Sequence, residues 1–181
     1  RNQRNSQGRS VQVGYTPDGN VVSRGPGGWD QSAVSAMGNM EKVYDYYKNV
    51  LGWNFLTEVP NSKGIQVGIV DSISGGSVWN AGLLNFTFGI NSEAALDAVG
   101  HEFTHAVIQS IVPTDWQFTG SQGAALNEAY GDILGGLIEG KNDAGKWLFA
   151  EDADGAPRRD TVHTSTTGVA APGPSNFRPF D

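Results

Sequence analysis

The sequence predicts an α+β fold, because helical patterns and short strand patterns occupy separate parts of the chain. The strand patterns cluster between residues 56 and 88, one long helical pattern precedes them, and two follow. With 181 residues, the chain can bury one good core or two small ones. Hydrophobic residues make up 38% and charged residues 17%, which suits a globular protein and argues against disorder.

Composition and charge exclude several classes of protein. The formal charge of −7 argues against a nucleic-acid partner, since a phosphate-binding protein needs a clustered basic face. The basic cluster of Arg1, Arg4 and Arg9 is expected to be a solvated terminus. No run of about 18 apolar residues exists, so we expect no membrane partner. Because the chain has no cysteine, any metal site must use His and carboxylates.

The first 28 residues predict a loop with one hairpin. They are rich in Gly, Asn, Ser and Arg, and Pro17-Asp18-Gly19-Asn20 gives a turn between two short stretches that contain Val. The chain starts at Arg1 with neither an initiator Met nor an apolar signal segment. We therefore expect an N-terminus that has been processed or trimmed, which is compatible with secretion.

The next segment predicts a long helix and then a small sheet. Asp30 or Ser32 can cap a helix that continues to Gly52. Its apolar residues recur at helical spacing, at Val34, Met37, Met40, Val43, Tyr44 and Tyr47. Short β-branched and aromatic stretches follow at residues 65–70, 78–79 and 86–88. We expect these stretches to form a small, mostly antiparallel sheet.

Two more helices are predicted after the strands. The central helix runs from Ser92, with Glu93 in its first turn, to Pro113. Its apolar positions are Ala95, Leu96, Val99, Phe103, Val107 and Ile108. A third helix covers about residues 123–139, with apolar positions at Leu126, Ala129, Ile133, Leu134, Leu137 and Ile138. Gly135 and Gly136 imply close packing of this helix, and residues 155–181 contain no periodic segment.

The central helix carries the motif His101-Glu102-Phe103-Thr104-His105. Helical positions four apart differ by about 40° around the axis, so both imidazoles lie on one face and can bind one metal ion. Glu102 is rotated by about 100° from His101 and can face a water molecule at an open coordination position. The alternative is a pair of structural histidines on an amphipathic helix.

A catalytic zinc ion usually has three protein ligands, so a third ligand must come from another segment. Glu128 on the third helix is the best candidate, because the 23 positions after His105 allow a loop and a return. Asp132 lies one turn further along the same face and can accept the second ring N–H of a ligand histidine. The alternative for both carboxylates is a solvated helix face.

Several segments of the chain resemble a known family and occur in the same order as in that family. They are residues 44–50, 78–80, 97–107, 127–129 with Asp132, and Trp147 with Glu151-Asp152. In these segments the chain is similar to the thermolysin family of bacterial neutral metallopeptidases, from about Asp30 to Arg159. The resemblance implies a zinc-dependent endopeptidase that acts on peptides or proteins and favours a bulky apolar residue after the cut. It also implies secretion.

The resemblance assigns roles to the residues of the motif. His101, His105 and Glu128 would be the ligands of Zn²⁺, and Glu102 would be the general base that takes a proton from the attacking water and passes it to the leaving amine. Asp132 would accept the ring N–H of His101 rather than that of His105.

The resemblance further implies a β-rich N-terminal lobe, the zinc-binding helix at the floor of a cleft, and a helical C-terminal lobe. We expect the first lobe at residues 1–112 and a partial, truncated second lobe at residues 113–181. Much of the helical second lobe that the family has is without a counterpart in this chain, whose last residue is Asp181. We therefore expect a fragment, a half that needs a missing C-terminal segment or second chain, or a naturally reduced form.

The chain also departs from the family pattern near the expected substrate. Trp116-Gln117-Phe118 has no phenol where the family places a tyrosine that helps to hold the oxyanion. Gly76-Ser77 replaces a family Asn-Ala pair that binds the substrate backbone. Arg158 matches a family arginine that contacts the substrate carbonyl. His163 resembles a further catalytic histidine of the family only if a long segment has been deleted, and the alternative is a plain loop histidine.

Calcium is a second metal that the resemblance suggests. Asp97, Glu139 and Glu151 match family carboxylates that bind Ca²⁺, whereas Lys146 and Leu148 replace two other ligands. Since Ca²⁺ takes about six to eight oxygen ligands, we expect one calcium site at most, with Asp143 or Asp152 as further ligands.

Three classes of function remain at this point. The chain is a working endopeptidase, a zinc-binding but catalytically weak relative that serves as a binding or structural module, or a zinc hydrolase with another substrate. Glu102 favours the first class, because a site that only holds metal needs no base. The missing phenol and the short C-terminal part favour the second class.

Overall fold

The computed structural model describes residues 3–4, 10–13, 26, 28, 31–62, 64–70, 76–89, 91–92, 95–112, 121–143, 147–154 and 159–160. The elements follow in the order β1 (Gln3–Arg4), β2 (Ser10–Val13), α1 (Gln31–Asn49), α2 (Phe55–Glu58), β3 (Ile65–Val70), β4 (Ser77–Asn80), β5 (Asn85–Gly89), α3 (Leu96–Ile111), α4 (Ser121–Glu139), β6 (Leu148–Phe149), α5 (Glu151–Asp154) and β7 (Arg159–Asp160). The predicted α+β class is confirmed. The predicted turn at residues 17–20 lies outside the described residues.

The main sheet has five strands in the order β1-β2-β3-β5-β4. β2 and β5 both pair with β3 in parallel, whereas β1 pairs with β2 and β4 with β5 in antiparallel orientation. The prediction of a mostly antiparallel sheet was therefore wrong. The physical reason is the connection between β2 and β3, which contains helix α1 and is long enough for the crossover that a parallel pair requires.

An aromatic core joins this sheet to helices α1 and α3. The rings of Phe86 on β5 and Phe103 on α3 stack with centroids 5.6 Å apart, and Phe55 packs 5.5 Å from Phe103. All three side chains are fully buried, and burial of each stabilises the fold by about 1.5–3 kcal/mol. Phe103 is two positions from each histidine of the motif and so points about 200° away from both. Its burial therefore turns His101 and His105 away from the core.

Helix α3 begins later than predicted. Ala95 has extended backbone angles (φ −82°, ψ 113°), so the helix starts at Leu96 rather than at Ser92. In the first turn, Oδ1 of Asp97 accepts the amide of Ala98 at 2.7 Å, which satisfies one of the amides that a helix start leaves without a helical partner. Glu93 lies outside the described residues.

Helix α4 packs on α3 through small residues rather than through its large apolar ones. A Cβ atom on Gly135 would overlap the carbonyl oxygen of Asp97, so the predicted close packing at this glycine is confirmed. Of the apolar positions that predicted this helix, Leu126, Ile133 and Leu137 are 43–47% exposed. The glycine-bearing side faces α3, and these three residues therefore point away from it.

A short second sheet, formed by β6 and β7, and helix α5 complete the described fold. Within the described part of the chain, no helix has both the length and the apolar character needed to cross a membrane. The division into lobes at residue 112 stays a prediction.

Candidate metal centre

His101 and His105 lie one turn apart on α3, on the side that faces α4. His101 is only 4% exposed. The two rings are perpendicular, with centroids 4.6 Å apart, and their Nε2 atoms are 3.0 Å apart. Each histidine therefore directs the same ring nitrogen to one point between the two helices.

Glu128 on α4 reaches this point from the opposite side. Its Oε2 lies 3.2 Å from Nε2 of His101, and its Oε1 lies 3.5 Å from Nε2 of His105. Zinc binds such atoms at about 2.0–2.2 Å, and the corners of a tetrahedron of that size are about 3.3 Å apart. The three side chains that the sequence singled out are thus brought together at separations that fit one zinc ion.

The outer nitrogens of the two rings face oxygen acceptors. Nδ1 of His101 lies 2.8 Å from Oδ1 of Asp132, and Nδ1 of His105 lies 3.1 Å from Oδ1 of Asn127. These acceptors favour the tautomer with hydrogen on Nδ1 in each neutral ring, which leaves a lone pair on each Nε2. Two lone pairs and the carboxylate of Glu128 then meet without a hydrogen between them, which is the donor set that a cation requires.

The electrostatics of His101 lead to the same conclusion. Burial alone would lower its pKa, but hydrogen bonds with Asp132 and Glu128 and the charge of Glu102 outweigh burial and raise the pKa to about 9. The surrounding carboxylates therefore stabilise positive charge at this position, whether a proton or a metal ion supplies it.

Gly131 makes the close approach of α4 possible. A Cβ atom at this position would lie 2.5 Å from Nδ1 of His101 and 2.7 Å from Cε1. The ring of Phe149 packs on His101 with centroids 5.2 Å apart. Sequence reasoning did not identify Gly131 or Asn127 as site residues, although both flank the predicted ligand Glu128 on its helix.

Glu102 lies beside His101, His105 and Glu128, and residues of strand β4 hold its carboxylate. It is 5% exposed, and one of its oxygens lies within 4.8 Å of a ring nitrogen of both His101 and His105. Oε1 accepts a hydrogen bond from Oγ of Ser77 at 2.8 Å, and Oε2 accepts one from the amide of Trp79 at 2.7 Å. The carboxylate therefore lies near the centre in a fixed orientation.

The carboxylates predicted for calcium also lie together. One oxygen from each of Asp97, Glu139 and Glu151 lies within 4.8 Å of the others. Asp97 also accepts the amide of Ala150 at 2.6 Å. Burial raises the pKa of Asp97, and burial followed by the charge of Asp97 raises the pKa of Glu139 to about 7.

Lys141, which the sequence analysis did not consider, is the cation of this cluster. Its Nζ lies 2.5 Å from Oε1 of Glu151, 2.9 Å from Oδ2 of Asp152 and 3.1 Å from Oε1 of Glu139. Burial lowers the pKa of Lys141, but these carboxylates outweigh burial and raise it. Oε2 of Glu139 and Oε2 of Glu151 are nevertheless buried without a hydrogen bond to the described residues, and Oε1 of Glu139 has the ammonium of Lys141 as its partner.

Some predicted site residues lie outside the described part of the chain. These are Arg158, His163 and the segment 116–118, together with Lys146. Leu148 lies on β6. The roles assigned to Arg158 and His163 stay predictions.

Comparison with known proteins identifies the family. The family model described as "Thermolysin metallopeptidase, catalytic domain" matches residues 2–109, which include both histidines of the motif. Neutral protease B of Bacillus subtilis (strain 168) is 31% identical over 151 residues, which are 77% of this chain and 25% of that protein. Bacillolysin of Bacillus cereus is 30% identical over 132 residues, which are 68% of this chain and 22% of that protein.

A solved structure supports the fold. The structure of the precursor of protealysin, a metalloproteinase from Serratia proteamaculans, is similar to this chain, with a TM-score of 0.52 and 20% sequence identity. The similarity covers 68% of this chain and 39% of the protealysin precursor. The chain spans about a quarter or less of the length of the two curated relatives above. The helix with the His-Glu-x-x-His motif packs against Glu128, the third candidate ligand. Together with this site, the match of the family model over more than half of the residues shows that the chain belongs to the thermolysin family of metallopeptidases.

Proposed function

We propose that this chain is a zinc-dependent endopeptidase in which His101, His105 and Glu128 hold the metal ion and Glu102 is the general base. One observation carries the proposal. Two Nε2 atoms and the carboxylate of Glu128, from two helices, converge at separations of 3.0–3.5 Å, and the buried carboxylate of Glu102 lies beside them. Membership of a metallopeptidase family supports the same activity.

The chemistry divides between the ion and the side chains. When bound, Zn²⁺ supplies Lewis acidity for the scissile carbonyl and lowers the pKa of a water molecule. Glu102 takes a proton from the attacking water and transfers it to the leaving amine. Asp132 and Asn127 hold the two imidazoles in the tautomer that places a lone pair on Nε2, the nitrogen that would bind the metal.

The substrate is proposed from the family resemblance. Peptides or proteins with a bulky apolar residue after the cut are the expected substrates, and the chain is expected to act outside the cell. Arg158 is proposed to contact the substrate carbonyl, and His163 to take part in catalysis.

A second candidate function is a zinc-binding relative with little or no catalysis. The observation in its favour is that Trp116-Gln117-Phe118 has no phenol where the family places a tyrosine that helps to hold the oxyanion. Zinc binding with undetectable hydrolysis distinguishes this candidate from the endopeptidase.

For calcium, we propose one ion at most, at Asp97, Glu139 and Glu151. The buried oxygens without hydrogen bonds favour a cation there, whereas the ammonium of Lys141 already lies between the same carboxylates. Since Ca²⁺ takes about six to eight oxygens, the three carboxylates would need additional ligands.

The test of the proposed function separates metal binding from chemistry. Glu102→Gln should leave the zinc content at one ion per chain and lower hydrolysis of casein or a furylacryloyl dipeptide at least about a hundredfold, the minimum usually lost with a general base. Glu58→Gln, a change of the same chemical type at an exposed position of α2, is the matched control and should retain full activity. A wild-type chain that holds zinc and hydrolyses neither substrate contradicts the endopeptidase and supports the second candidate.

A further inference from the structure

The orientation of Glu102 depends on two donors from strand β4. The amide of Trp79 donates to Oε2 at 2.7 Å, and the hydroxyl of Ser77 donates to Oε1 at 2.8 Å. Strand β4 lies at the edge of the sheet and pairs with β5 on its other side. The edge strand β4 therefore holds the carboxylate of Glu102, which belongs to helix α3.

The side chain of Trp79 fixes the distance between β4 and α3. Its ring packs on Phe86 with centroids 4.6 Å apart, and its Nε1 donates to Oε1 of Gln109 at 2.5 Å. Gln109 lies seven residues after Glu102, about two turns along the same helix face. The strand is thus attached to α3 at two places, so that Ser77 approaches Glu102 from a rigid support.

The two donors differ in what they require of the sequence. A backbone amide is present at position 79 whatever its side chain, apart from proline, but a hydroxyl at position 77 depends on the residue there. A glutamate held at one oxygen can still rotate about that hydrogen bond, whereas donors at both oxygens fix the plane of the carboxylate. Ser77 therefore supplies the part of the restraint that a single substitution can remove.

We propose that Ser77 is a positioning residue for Glu102, and that its hydroxyl holds the carboxylate in the plane from which it accepts the proton of the attacking water. The inference rests on the proposed role of Glu102 as general base. Transfer of the proton requires the carboxylate to lie within hydrogen-bond reach of the water, which a freely rotating side chain satisfies only part of the time.

Kinetics of the zinc-loaded chain provide the first test. Ser77→Ala should lower kcat about ten- to a hundredfold, the usual loss when the hydrogen-bond partner of a site residue is removed, with KM and zinc content within about twofold of wild type. Ser77→Thr, which keeps the hydroxyl and suits a strand, should recover most of kcat. Ser110→Ala is the matched control, because its hydroxyl donates to the carbonyl of Val107 in its own helix, and its activity should not change.

Unfolding by denaturant provides a second test that does not depend on activity. In the metal-free chain, Ser77→Ala should shift the denaturant midpoint more when Glu102 is present than when it is already Ala, since only the first background contains the hydrogen bond. Equal shifts in both backgrounds would overturn the contact and the proposal with it. A wild-type kcat for Ser77→Ala would overturn its positioning role. An inactive zinc-loaded wild type would overturn the general-base role on which the proposal rests, even if the unfolding test shows that the contact exists.

Discussion

Replacement of Gly131 by Ala tests how closely α4 must approach the candidate metal centre. The new methyl carbon would lie 2.5 Å from Nδ1, 2.7 Å from Cε1 and 2.9 Å from Cγ of His101. Non-bonded carbon contacts are normally about 3.5–4.0 Å, so the overlap is roughly 1 Å. The ring cannot easily retreat, because Asp132 holds Nδ1 and Phe149 packs on the ring.

Two effects of opposite sign determine the result. Overpacking costs about 1–3 kcal/mol, and the better helix propensity of Ala returns about 1 kcal/mol, so the free energy of unfolding should fall by about 0–2 kcal/mol. Zinc affinity should fall about ten- to a hundredfold, because the methyl group displaces the nitrogen that donates to Asp132. This loss corresponds to about 1.4–2.7 kcal/mol of binding free energy.

The assay is competition with a chelator of known zinc affinity, together with urea unfolding of the metal-free chain. Gly38→Ala on α1 is the matched control, since, among the residues that the structure describes, no atom outside its own stretch of helix lies within 4 Å of the added carbon. The control should gain stability and keep its zinc affinity. If Gly131→Ala also gains stability and binds zinc as tightly as wild type, the close packing of α4 on His101 is refuted.

Three further perturbations address the surroundings of the centre. Asp132→Ala should weaken zinc binding about ten- to a hundredfold in the same competition assay, because Nδ1 of His101 loses its acceptor at 2.8 Å; an unchanged affinity would refute this role. Lys141→Met should lower the free energy of unfolding by about 1.5–3 kcal/mol, which is the usual contribution of hydrogen bonds to charged groups. Calcium should then raise the melting temperature of the variant more than that of the wild type. Equal calcium responses would show that the ammonium does not compete with the ion. The pKa of Glu139 is about 7 in the folded state, against 4.5 normally. Between these pH values the folded state binds more protons than the unfolded state, so Glu139 destabilises the fold progressively as pH rises from about 4.5 to about 7. Glu139→Gln removes that loss, so urea unfolding should show a stability advantage of the variant that grows across this window, and a constant advantage would contradict the assignment.

The sequence predicted the candidate centre better than it predicted the sheet. His101 and His105 share one helix, and their spacing defines their common face without knowledge of the rest of the fold. Glu128 and Asp132 lie one turn apart on a second helix, so once one of them is placed, the position of the other follows. Short-range geometry therefore predicted which side chains share a face of each helix, whereas the contact between the two helices was implied by the family resemblance.

The errors arise where long-range packing decides. The parallel pairing of β3 depends on which strands it meets, and its apolar run is consistent with more than one buried structure. On α4 the glycines indicated close packing correctly, but the apolar pattern does not show that Leu126 lies on the exposed side, because which apolar residues are covered depends on the neighbouring elements. The contact of Lys141 with Glu151 could not be predicted, since it depends on how the segment after α4 returns to α3.

The same limit applies to Ser77. Its position was noticed only as a departure from the family's Asn-Ala pair, and nothing in the local pattern places its hydroxyl beside a residue 25 positions later in the chain. Edge strands carry many polar side chains for reasons of solubility, which makes one serine among them uninformative until the fold is known.

The most direct measurement is anomalous diffraction at the zinc absorption edge on crystals of the zinc-loaded chain. One strong peak should lie about 2.0–2.2 Å from Nε2 of His101, Nε2 of His105 and a carboxylate oxygen of Glu128, with Glu102 near the ion but not among its ligands. A fully occupied zinc ion bound elsewhere, with these three side chains beyond coordination distance of one another, would contradict the proposed centre.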